Sequence, residues 1–483
     1  MFHFKTVLHI LGLLMTLNGI FMATVLPVSW VQDSGDFNAL LISSAISANV
    51  GIIIWYFTRS KKKELSKRDG YLIVTLGWII LGITGSLPFI LSGNIGSFAS
   101  AFFETMSGYT TTGASILNDI ESLPAGIMLW RSMTQWIGGM GIIVLTVALL
   151  PLLGVGGMQL FMAEAPGPSG SKIHPKIGDT AKRLWIIYVL LTAVETILLK
   201  IAGMTWLDAV NHSFTTMSTG GFSTKNASVA AFDSPAVEYI ITAFMLVGGI
   251  NFSMLYFIVK GVFSKVIGNE EFKTYIGIIV VFTLLISGTL YLSTNQDLEE
   301  SFRHSIFQVV TIITTTGFST VNYAVWSPFA YMLILFLMFT GGSAGSTAGG
   351  VKILRHLIIL KNGYIEFKRL LHPRAVIPVR INEKSVEQSI VYNVLAFFFI
   401  YLFIFIVGAL VITMFGHDIV TAAGASIACL GNIGPGIGGV DPSHNFSFFS
   451  EGAQVFLSFL MLLGRLELFT VLILLTPAFW KKV

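Results

Sequence analysis

The segment Ala101-Phe-Phe-Glu-Thr-Met-Ser-Gly-Tyr-Thr-Thr-Thr-Gly113 decides the fold, because it is apolar and yet too short to cross a membrane. Its apolar part has room for two to three helical turns, about 15 Å or half a bilayer. We therefore predict a half-length helix that enters the membrane and ends there. Non-helical backbone at that depth is tolerated only where it is buried in protein or lines water, so the threonines and the glycine are predicted to line a cavity.

Related segments recur about every hundred residues, each between two long apolar runs. The four predicted loops are Thr110, Thr111, Thr112 and Gly113; Ser218, Thr219, Gly220 and Gly221; Thr314, Thr315, Thr316 and Gly317; and Gly431, Asn432, Ile433 and Gly434. One such loop would mean little, since clusters of Ser, Thr and Gly are common in turns. An alternative is a set of helix-breaking external turns, but it does not explain four apolar half-length helices.

The composition of these loops favours a cation filter. A dehydrated cation needs oxygen ligands, and rings of four backbone carbonyls supply them in potassium filters. Glycine accepts the unusual backbone angles that such a lining needs. The partial negative charge at a half-helix C-terminus also favours a cation. The second and fourth loops depart from Thr-Thr-Thr-Gly, and we expect an asymmetric filter.

The chain as a whole has the composition of an integral membrane protein. Hydrophobic residues make up 54% of the 483 positions and charged residues 11%, against roughly 25% charged residues in a soluble chain. The sequence therefore predicts an all-α membrane protein with four pore repeats and two additional N-terminal helices. About ten apolar runs are long enough to span a bilayer: 8–28, 38–58, 71–92, 126–153, 184–203, 237–260, 275–293, 327–360, 391–415 and 452–478.

Charged residues predict the topology. Lys and Arg follow every second span, as in the loop 58–69 and the segment 355–380, whereas the alternate loops are acidic or neutral. Since positive loops stay in the cytoplasm, both termini are predicted to be cytoplasmic, and the run from Leu8 to Pro27 is predicted to be a spanning helix rather than a signal peptide. No basic segment is interleaved with aromatic residues, which argues against nucleic acid as a partner. The single cysteine, Cys429, and the scattered histidines indicate no metal cluster.

A gate is predicted below the filter. The eighth span is interrupted by glycines at Gly341, Gly342, Gly345, Gly349 and Gly350, and each costs a helix about 1 kcal/mol. The spacing also fits small-residue helix packing, and it nearly begins a phosphate-binding loop but lacks the lysine.

Arg465 is the second gate candidate, because an arginine at the middle of a span costs about 2.5–3.5 kcal/mol on insertion scales. Pairing with Glu467 is disfavoured, since residues two apart on a helix do not face each other. We expect Arg465 to point into the ion path and bond loop carbonyls. Among the other polar residues, we expect Glu104 to bond the pore-loop backbone, Glu195 and Lys200 to have packing or interfacial roles, and Arg355 to be an interfacial anchor.

The chain resembles the Trk/Ktr/HKT superfamily of potassium transporters, and within it the TrkH type. Besides the four loops, the resemblance rests on Gln135-Trp-Ile-Gly-Gly-Met-Gly141, Leu150-Pro-Leu-Leu-Gly-Val-Gly-Gly-Met-Gln159, Leu371-His-Pro-Arg-Ala-Val376 and Leu463-Gly-Arg-Leu-Glu-Leu-Phe-Thr470. It implies a two-helix extension at 1–60 and pore repeats at 71–153, 184–260, 275–360 and 391–478, with 341–350 acting as an intramembrane gate.

The resemblance also implies potassium uptake across a bacterial inner membrane by a homodimer in the lipid bilayer. The implied regulator is a cytoplasmic, TrkA-type ring of nucleotide-binding domains. Potassium is then the substrate, bound at the filter, and the chain itself binds no cofactor. A secondary transporter that couples potassium to H⁺ or Na⁺ remains an alternative, although the filter loops contain no titratable group. An enzyme is disfavoured, because no catalytic constellation is visible.

Overall fold

The computed structural model describes residues 3–59, 66–141, 177–294 and 297–481. The motif 150–159, the end of the predicted fourth span and the middle of the basic loop 58–69 lie outside these residues. In the described part, the regular structure is helical apart from one short hairpin, in which Arg380–Ile381 pairs antiparallel with Lys384–Ser385. The prediction of an all-α membrane protein is confirmed.

Two helices precede the first repeat, Phe4–Ala23 and Phe37–Phe57, with the short helix Leu26–Val31 between them. The two long helices approach closely at small residues. A Cβ placed on Gly19 would lie 2.7 Å from the Ser44 carbonyl oxygen, and one on Gly51 would lie 2.5 Å from the Thr16 nitrogen. Small residues allow such contacts inside a membrane, which explains why this pair packs as a hairpin.

Each repeat then begins with a long helix and continues with a half-length one. The long helices are Lys67–Gly85, Ile177–Ile201, Glu270–Ser293 and Gln388–Met414. The half-length helices, called pore helices 1 to 4 below, are Phe98–Tyr109, Trp206–Met217, Leu298–Ile313 and Ile419–Leu430. In the most apolar 18-residue stretch of Gln388–Met414, only 22% of the residues are buried within the chain. This helix therefore presents most of its surface outward, as lipid contact requires. The pore helices are buried on most sides.

The closing helix of each repeat is short or broken. In repeat 1 it is Ala125–Gly139. In repeat 2 it is Pro235–Gly248 followed by Phe252–Val259 with a bend of 107°, and in repeat 4 it is Glu451–Arg465 followed by Phe469–Leu475 with a bend of 113°. In repeat 3, Pro328–Leu337 is separated from Ile353–Leu371 by a non-helical segment. Short helices also lie at Leu87–Leu91, Phe263–Ile267 and Pro477–Trp480.

These breaks explain how the observed helices differ from the ten predicted spans. Among the described residues, six helices are long and apolar enough to cross a membrane, or eight if each bent pair is one span. Glycines and left-handed residues cause the bends: Gly248 and Gly249 lie at the first, and Glu467 (φ 54°) and Leu468 (φ 57°) at the second.

The repeats pack around one centre. Pore helix 1 contacts Glu451–Arg465 of repeat 4, pore helix 2 contacts Ala125–Gly139 of repeat 1, and pore helix 3 contacts Pro235–Gly248 of repeat 2. Each of these three pore helices therefore rests on the closing helix of the preceding repeat. The arrangement brings the four pore-helix C-termini, and the four loops that follow them, together.

Candidate functional site

The four loops adopt the same backbone shape although their sequences differ. Two positions before each final glycine, the residue lies in the left-handed region: Thr111 (φ 55°), Thr219 (φ 54°), Thr315 (φ 54°) and Asn432 (φ 53°). The glycines themselves have φ values from 76° at Gly221 to 96° at Gly434. Left-handed backbone is uncommon for any residue with a side chain and is an outlier for β-branched threonine. A conformation repeated four times against this preference indicates a common structural requirement.

The loops meet in a closed ring. A Cβ placed on Gly113 would lie 2.2 Å from the carbonyl oxygen of Gly220, and one on Gly221 would lie 1.9 Å from that of Thr316. One on Gly317 would lie 2.1 Å from the carbonyl oxygen of Ile433, and one on Gly434 would lie 2.7 Å from that of Thr112. Each glycine thus abuts the carbonyl that precedes the glycine of the next repeat, and the fourth abuts the first.

The loop amides point back to the pore helices. In each loop, the residue before the glycine donates its N–H to a carbonyl five positions earlier, in the last turns of the pore helix: Thr112 to Ser107 (2.9 Å), Gly220 to Thr215 (2.8 Å), Thr316 to Thr311 (2.8 Å) and Ile433 to Ala428 (2.9 Å). Because these N–H groups are hydrogen-bonded to the pore helices, they do not point into the space at the centre of the ring, and carbonyl oxygens can face it. The negative ends of the four helix dipoles lie beside it.

Side chains add hydroxyl groups but no charge to the ring. In loops 1 and 3 the outer threonines contact each other through their hydroxyls, Thr110 with Thr112 at 2.7 Å and Thr314 with Thr316 at 2.8 Å. Loop 4 has Gly431 and Ile433 at these two positions. The amide of its middle residue, Asn432, donates to Thr112 Oγ1 (3.0 Å) and to the Met461 carbonyl (2.9 Å). Asparagine tolerates left-handed backbone better than most residues, which accounts for the residue type at this position.

The intramembrane loop, residues 341–350, lies against the end of the ring nearest the pore helices. Gly349 donates its N–H to Thr315 Oγ1 at 2.6 Å, and Thr347 Oγ1 lies 3.1 Å from the carbonyl oxygens of Met217 and Gly248. The loop is not helical, so small-residue helix packing does not describe it. Its glycines permit close approach: a Cβ on Gly341 would lie 2.4 Å from the Gly349 oxygen, and one on Gly342 would lie 2.7 Å from the Ala348 Cβ.

Arg465 bonds this loop, as the sequence predicts. One guanidinium nitrogen donates to the Thr347 carbonyl at 2.8 Å, and another donates to the carbonyls of Gly138 (2.6 Å) and Gly139 (3.0 Å). The arginine at the end of Glu451–Arg465 therefore joins the intramembrane loop of repeat 3 to the helix end of repeat 1. Glu467 contacts Arg355 rather than Arg465, and Arg355 also lies 3.9 Å above the Phe397 ring. The sequence predicts an interfacial anchor at Arg355 and does not predict its ion pair with Glu467.

The other end of the intramembrane loop is fixed by two residues, Glu271 and Asn251, that no sequence pattern predicts. The carboxylate of Glu271 accepts the Ala344 N–H at 2.6 Å, and the Asn251 amide donates to the Ala344 carbonyl. Asn251 lies in the bend between Pro235–Gly248 and Phe252–Val259. Neither residue belongs to a local motif. Asn251 is a polar residue at a helix break, whereas Glu271 lies in the first turn of Glu270–Ser293, where acidic residues are common for other reasons.

In three of the four repeats, a polar residue ties the pore helix to the chain that follows the loop. The corresponding positions, nine residues before the final glycine of each loop, hold Glu104, His212, Gln308 and Ala425. Glu104 accepts the Ile116 N–H at 2.9 Å, which confirms the expected bond to the pore-loop backbone. His212 contacts Ser223 Oγ at 3.0 Å, and Gln308 donates to the Val321 carbonyl at 3.3 Å. In repeat 4 the adjacent Gly424 instead packs directly on the Ile437 backbone.

The remaining candidates lie outside the ring. Lys200 donates to the Met204 carbonyl at 3.2 Å and lies 5.7 Å above the Trp206 ring, as an interfacial lysine does. Glu195 is fully buried. Among the described residues, no group of three or more His, Cys, Asp or Glu side chains could hold a metal ion, and Cys429 is buried in the core.

Comparison with known proteins gives matches over the whole chain. The profile of the TrkH family, described as cation transport proteins, matches residues 37–280 and 273–482. The Trk system potassium uptake protein TrkH of Escherichia coli K12 is 43% identical over 486 residues, covering 99% of this chain and 100% of the relative. TrkG of the same organism is 34% identical over 99% of both chains. The crystal structure of the potassium transporter TrkH from Vibrio parahaemolyticus superposes with a TM-score of 0.90 at 39% identity, covering 99% of this chain and 100% of that one.

Proposed function

The chain belongs to the TrkH family of cation transport proteins, and from this we propose that it takes up potassium by conducting it through the ring of four filter loops. Members of the family are transporters and not enzymes. The observation that supports this function best is the closed sequence of glycine–carbonyl contacts from Gly113 through Gly221, Gly317 and Gly434 back to Thr112. Four loops of one shape around one centre are what carbonyl coordination of a dehydrated cation needs.

The proposed potassium ligands are mainly backbone carbonyls of residues 110–113, 218–221, 314–317 and 431–434. The proposal draws support from the amide donors of these loops being bonded to the pore helices. Carbonyls without formal charge replace the hydration shell and still release the ion, as conduction requires. The two departing loops keep the left-handed shape, so all four are proposed to contribute.

The intramembrane loop and Arg465 are the proposed gate. The loop contacts filter loop 3 through Gly349 and the end of pore helix 2 through Thr347, and Arg465 binds its Thr347 carbonyl. A guanidinium below the filter opposes a cation electrostatically, and the loop occupies space next to the path. The conformation described here is therefore proposed to be the closed one.

We further propose the cellular setting that the family resemblance implies. The chain is a multi-pass protein of the bacterial inner membrane with both termini in the cytoplasm, it forms a homodimer, and a TrkA-type nucleotide-binding ring opens its gate. The part of the chain that the structure describes contains one two-stranded hairpin and no parallel sheet of the nucleotide-binding kind. A nucleotide response would thus come from the partner.

Bi-ionic and proton-gradient recordings test the function. The purified protein is reconstituted in liposomes fused to a planar bilayer, with different potassium concentrations on the two sides. We expect a current that reverses at the potassium equilibrium potential and does not shift when a proton or sodium gradient is added. Potassium accumulated against its own electrochemical gradient when a proton or sodium gradient is imposed would instead establish a coupled carrier. Equal sodium and potassium permeability would overturn the selectivity.

A further inference from the structure

A buried ion pair lies at the end of the filter opposite the gate. Glu104 of pore helix 1 and Arg131 of the closing helix of repeat 1 are 2.7 Å apart, with side-chain exposures of 0% and 2%. The same carboxylate accepts the Ser115 hydroxyl and the Ile116 N–H, both at 2.9 Å. Ser115 and Ile116 lie two and three residues after Gly113, the last residue of filter loop 1, so the pair fixes the exit of that loop.

Arg131 extends these contacts to the neighbouring repeat. Its guanidinium donates to the Ser223 carbonyl at 3.0 Å and lies 3.6 Å above the Phe222 ring. Phe222 and Ser223 directly follow filter loop 2. One turn along the same helix, Gln135 donates to the Gly220 carbonyl at 2.6 Å and accepts the Phe222 N–H at 3.0 Å. Residues four apart share a helix face, so one face of repeat 1 positions filter loop 2.

This charged link occurs at one junction between neighbouring filter loops within the described residues. The positions that correspond to Glu104 in the other repeats hold His212, Gln308 and Ala425. Arg131 lies seven residues before Gly138, which packs on the end of pore helix 1. Gly248 and Gly464 pack on the ends of pore helices 2 and 4 in the same way, and the residues seven positions before them are Ile241 and Leu457. A buried charge pair needs close geometry and further hydrogen bonds to offset its loss of water, and here each partner has them.

We propose that Glu104 and Arg131 are selectivity-determining positioning residues, which fix the spacing of filter loops 1 and 2 and so the ion size that the carbonyl ring accepts. This inference rests on the proposed function. Neither residue needs to touch the ion. Because the ring is closed, a shift of loop 2 relative to loop 1 changes the Gly113–Gly220 contact and the ring as a whole. A planar guanidinium can bond Glu104 and Ser223 and stack on Phe222 together, which an ammonium cannot.

The test is the sodium-to-potassium permeability ratio of reconstituted protein under bi-ionic conditions. We expect Arg131→Lys, which keeps the charge but loses the fork and the stacking, to raise this ratio about tenfold while potassium current persists. The double variant Glu104→Gln/Arg131→Met removes both charges and leaves neither unpaired. We expect it to fold and to show a ratio at least as high.

A second Glu–Arg pair in the same chain is the matched control. Glu238 and Arg303 are 2.8 Å apart and also join a closing helix to a pore helix. The second partner of Arg303 is Glu299, whereas the second partner of Arg131 is the chain after filter loop 2. Arg303→Lys should leave the permeability ratio at the parent value. An unchanged ratio in both Arg131→Lys and the double variant, or an equal rise in Arg303→Lys, overturns the inference. A parent protein without potassium selectivity would overturn the proposed function instead, so the two failures are distinguishable.

Discussion

The left-handed residue in each filter loop is the feature at residue scale that best identifies the site. Thr111, Thr219 and Thr315 adopt φ values near 55° that β-branched side chains disfavour, and strained backbone of this kind persists only where surrounding contacts enforce it. Those contacts are the amide bonds to the pore helices and the abutting glycines of the ring. The strain is therefore tied to the place where carbonyls are presented.

The filter glycines should tolerate no side chain. In Gly221→Ala the new Cβ would meet the Thr316 carbonyl oxygen at 1.9 Å, in addition to the cost of a left-handed alanine, about 1–2 kcal/mol. We expect potassium flux into liposomes to fall at least about tenfold. Gly277→Ala is the control, because a Cβ there has no atom within 4 Å, and it should conduct like the parent protein. Normal selective flux through Gly221→Ala would refute the assignment of this glycine to the filter.

Arg465 should act as part of the barrier. Replacement by alanine removes three bonds to the carbonyls of Thr347, Gly138 and Gly139 and removes a positive charge from below the filter. We expect Arg465→Ala, without any cytoplasmic partner, to raise potassium flux about tenfold. Arg380→Ala, at an exposed position in the hairpin, should have no effect. If Arg465→Ala folds normally and its flux equals that of the parent, Arg465 is not part of the gate.

At the scale of elements, the breaks in the closing helices supply the lower part of the site. The bend after Gly248 exposes the Gly249 carbonyl, which accepts the Ser343 N–H at 2.9 Å, and frees the Phe252 N–H for the Gly345 carbonyl at 3.0 Å. The backbone groups that lack a helical partner at this bend are thus hydrogen-bonded to backbone groups of the intramembrane loop. Such mutual satisfaction is what irregular backbone requires at membrane depth.

Glu271 should stabilise the closed position of the intramembrane loop. In Glu271→Leu the buried Ala344 N–H loses its acceptor, which costs about 1–3 kcal/mol in this conformation alone. The equilibrium should shift away from this conformation, and basal potassium flux should rise about 5- to 150-fold. Glu270 is the control: it is adjacent in sequence but pairs with Lys361. Comparable increases in Glu270→Leu and Glu271→Leu would show that the effect is unspecific.

At the scale of the whole molecule, the cyclic packing of the repeats is what places four unequal units around one centre. Three pore helices rest on the closing helix of the preceding repeat, and the glycine–carbonyl contacts complete the cycle. The N-terminal hairpin supports the first unit: Tyr109 at the end of pore helix 1 donates to Asn18 at 2.5 Å, and Asn18 donates to Thr84 at 2.8 Å. Each repeat is consequently incomplete without its neighbours.

Replacement of a buried carboxyl group can distinguish conduction from proton-coupled transport. Glu195 is fully buried on the first helix of repeat 2, and a proton-coupled carrier would need a titratable group of this kind. If transport is uncoupled, Glu195→Gln should retain both the potassium flux and its independence of a proton gradient. The measurement is potassium flux with and without an imposed pH difference. A pH-driven component in the parent protein that disappears in Glu195→Gln would support the carrier.

The sequence alone determined the membrane class and the repeat, because both follow from local properties. Apolar run length identifies the long outer helices, and a half-length apolar helix followed by a loop that ends in glycine marks each of the four loops. It also located Arg465 and the glycines at 341–350, since an arginine and a broken helix at membrane depth are anomalous wherever they occur. These signals need no knowledge of which repeats touch.

Only the tertiary structure decided how the loops meet and what holds them. The contact of Gly113 with Gly220, the link from Glu104 through Arg131 to Ser223, and the bond of Glu271 to Ala344 join residues far apart in the chain. Neither composition nor periodicity encodes such pairs, because each residue type is compatible with several partners. The loops were recognisable one by one, but the ring exists only because four unequal repeats pack in a closed cycle.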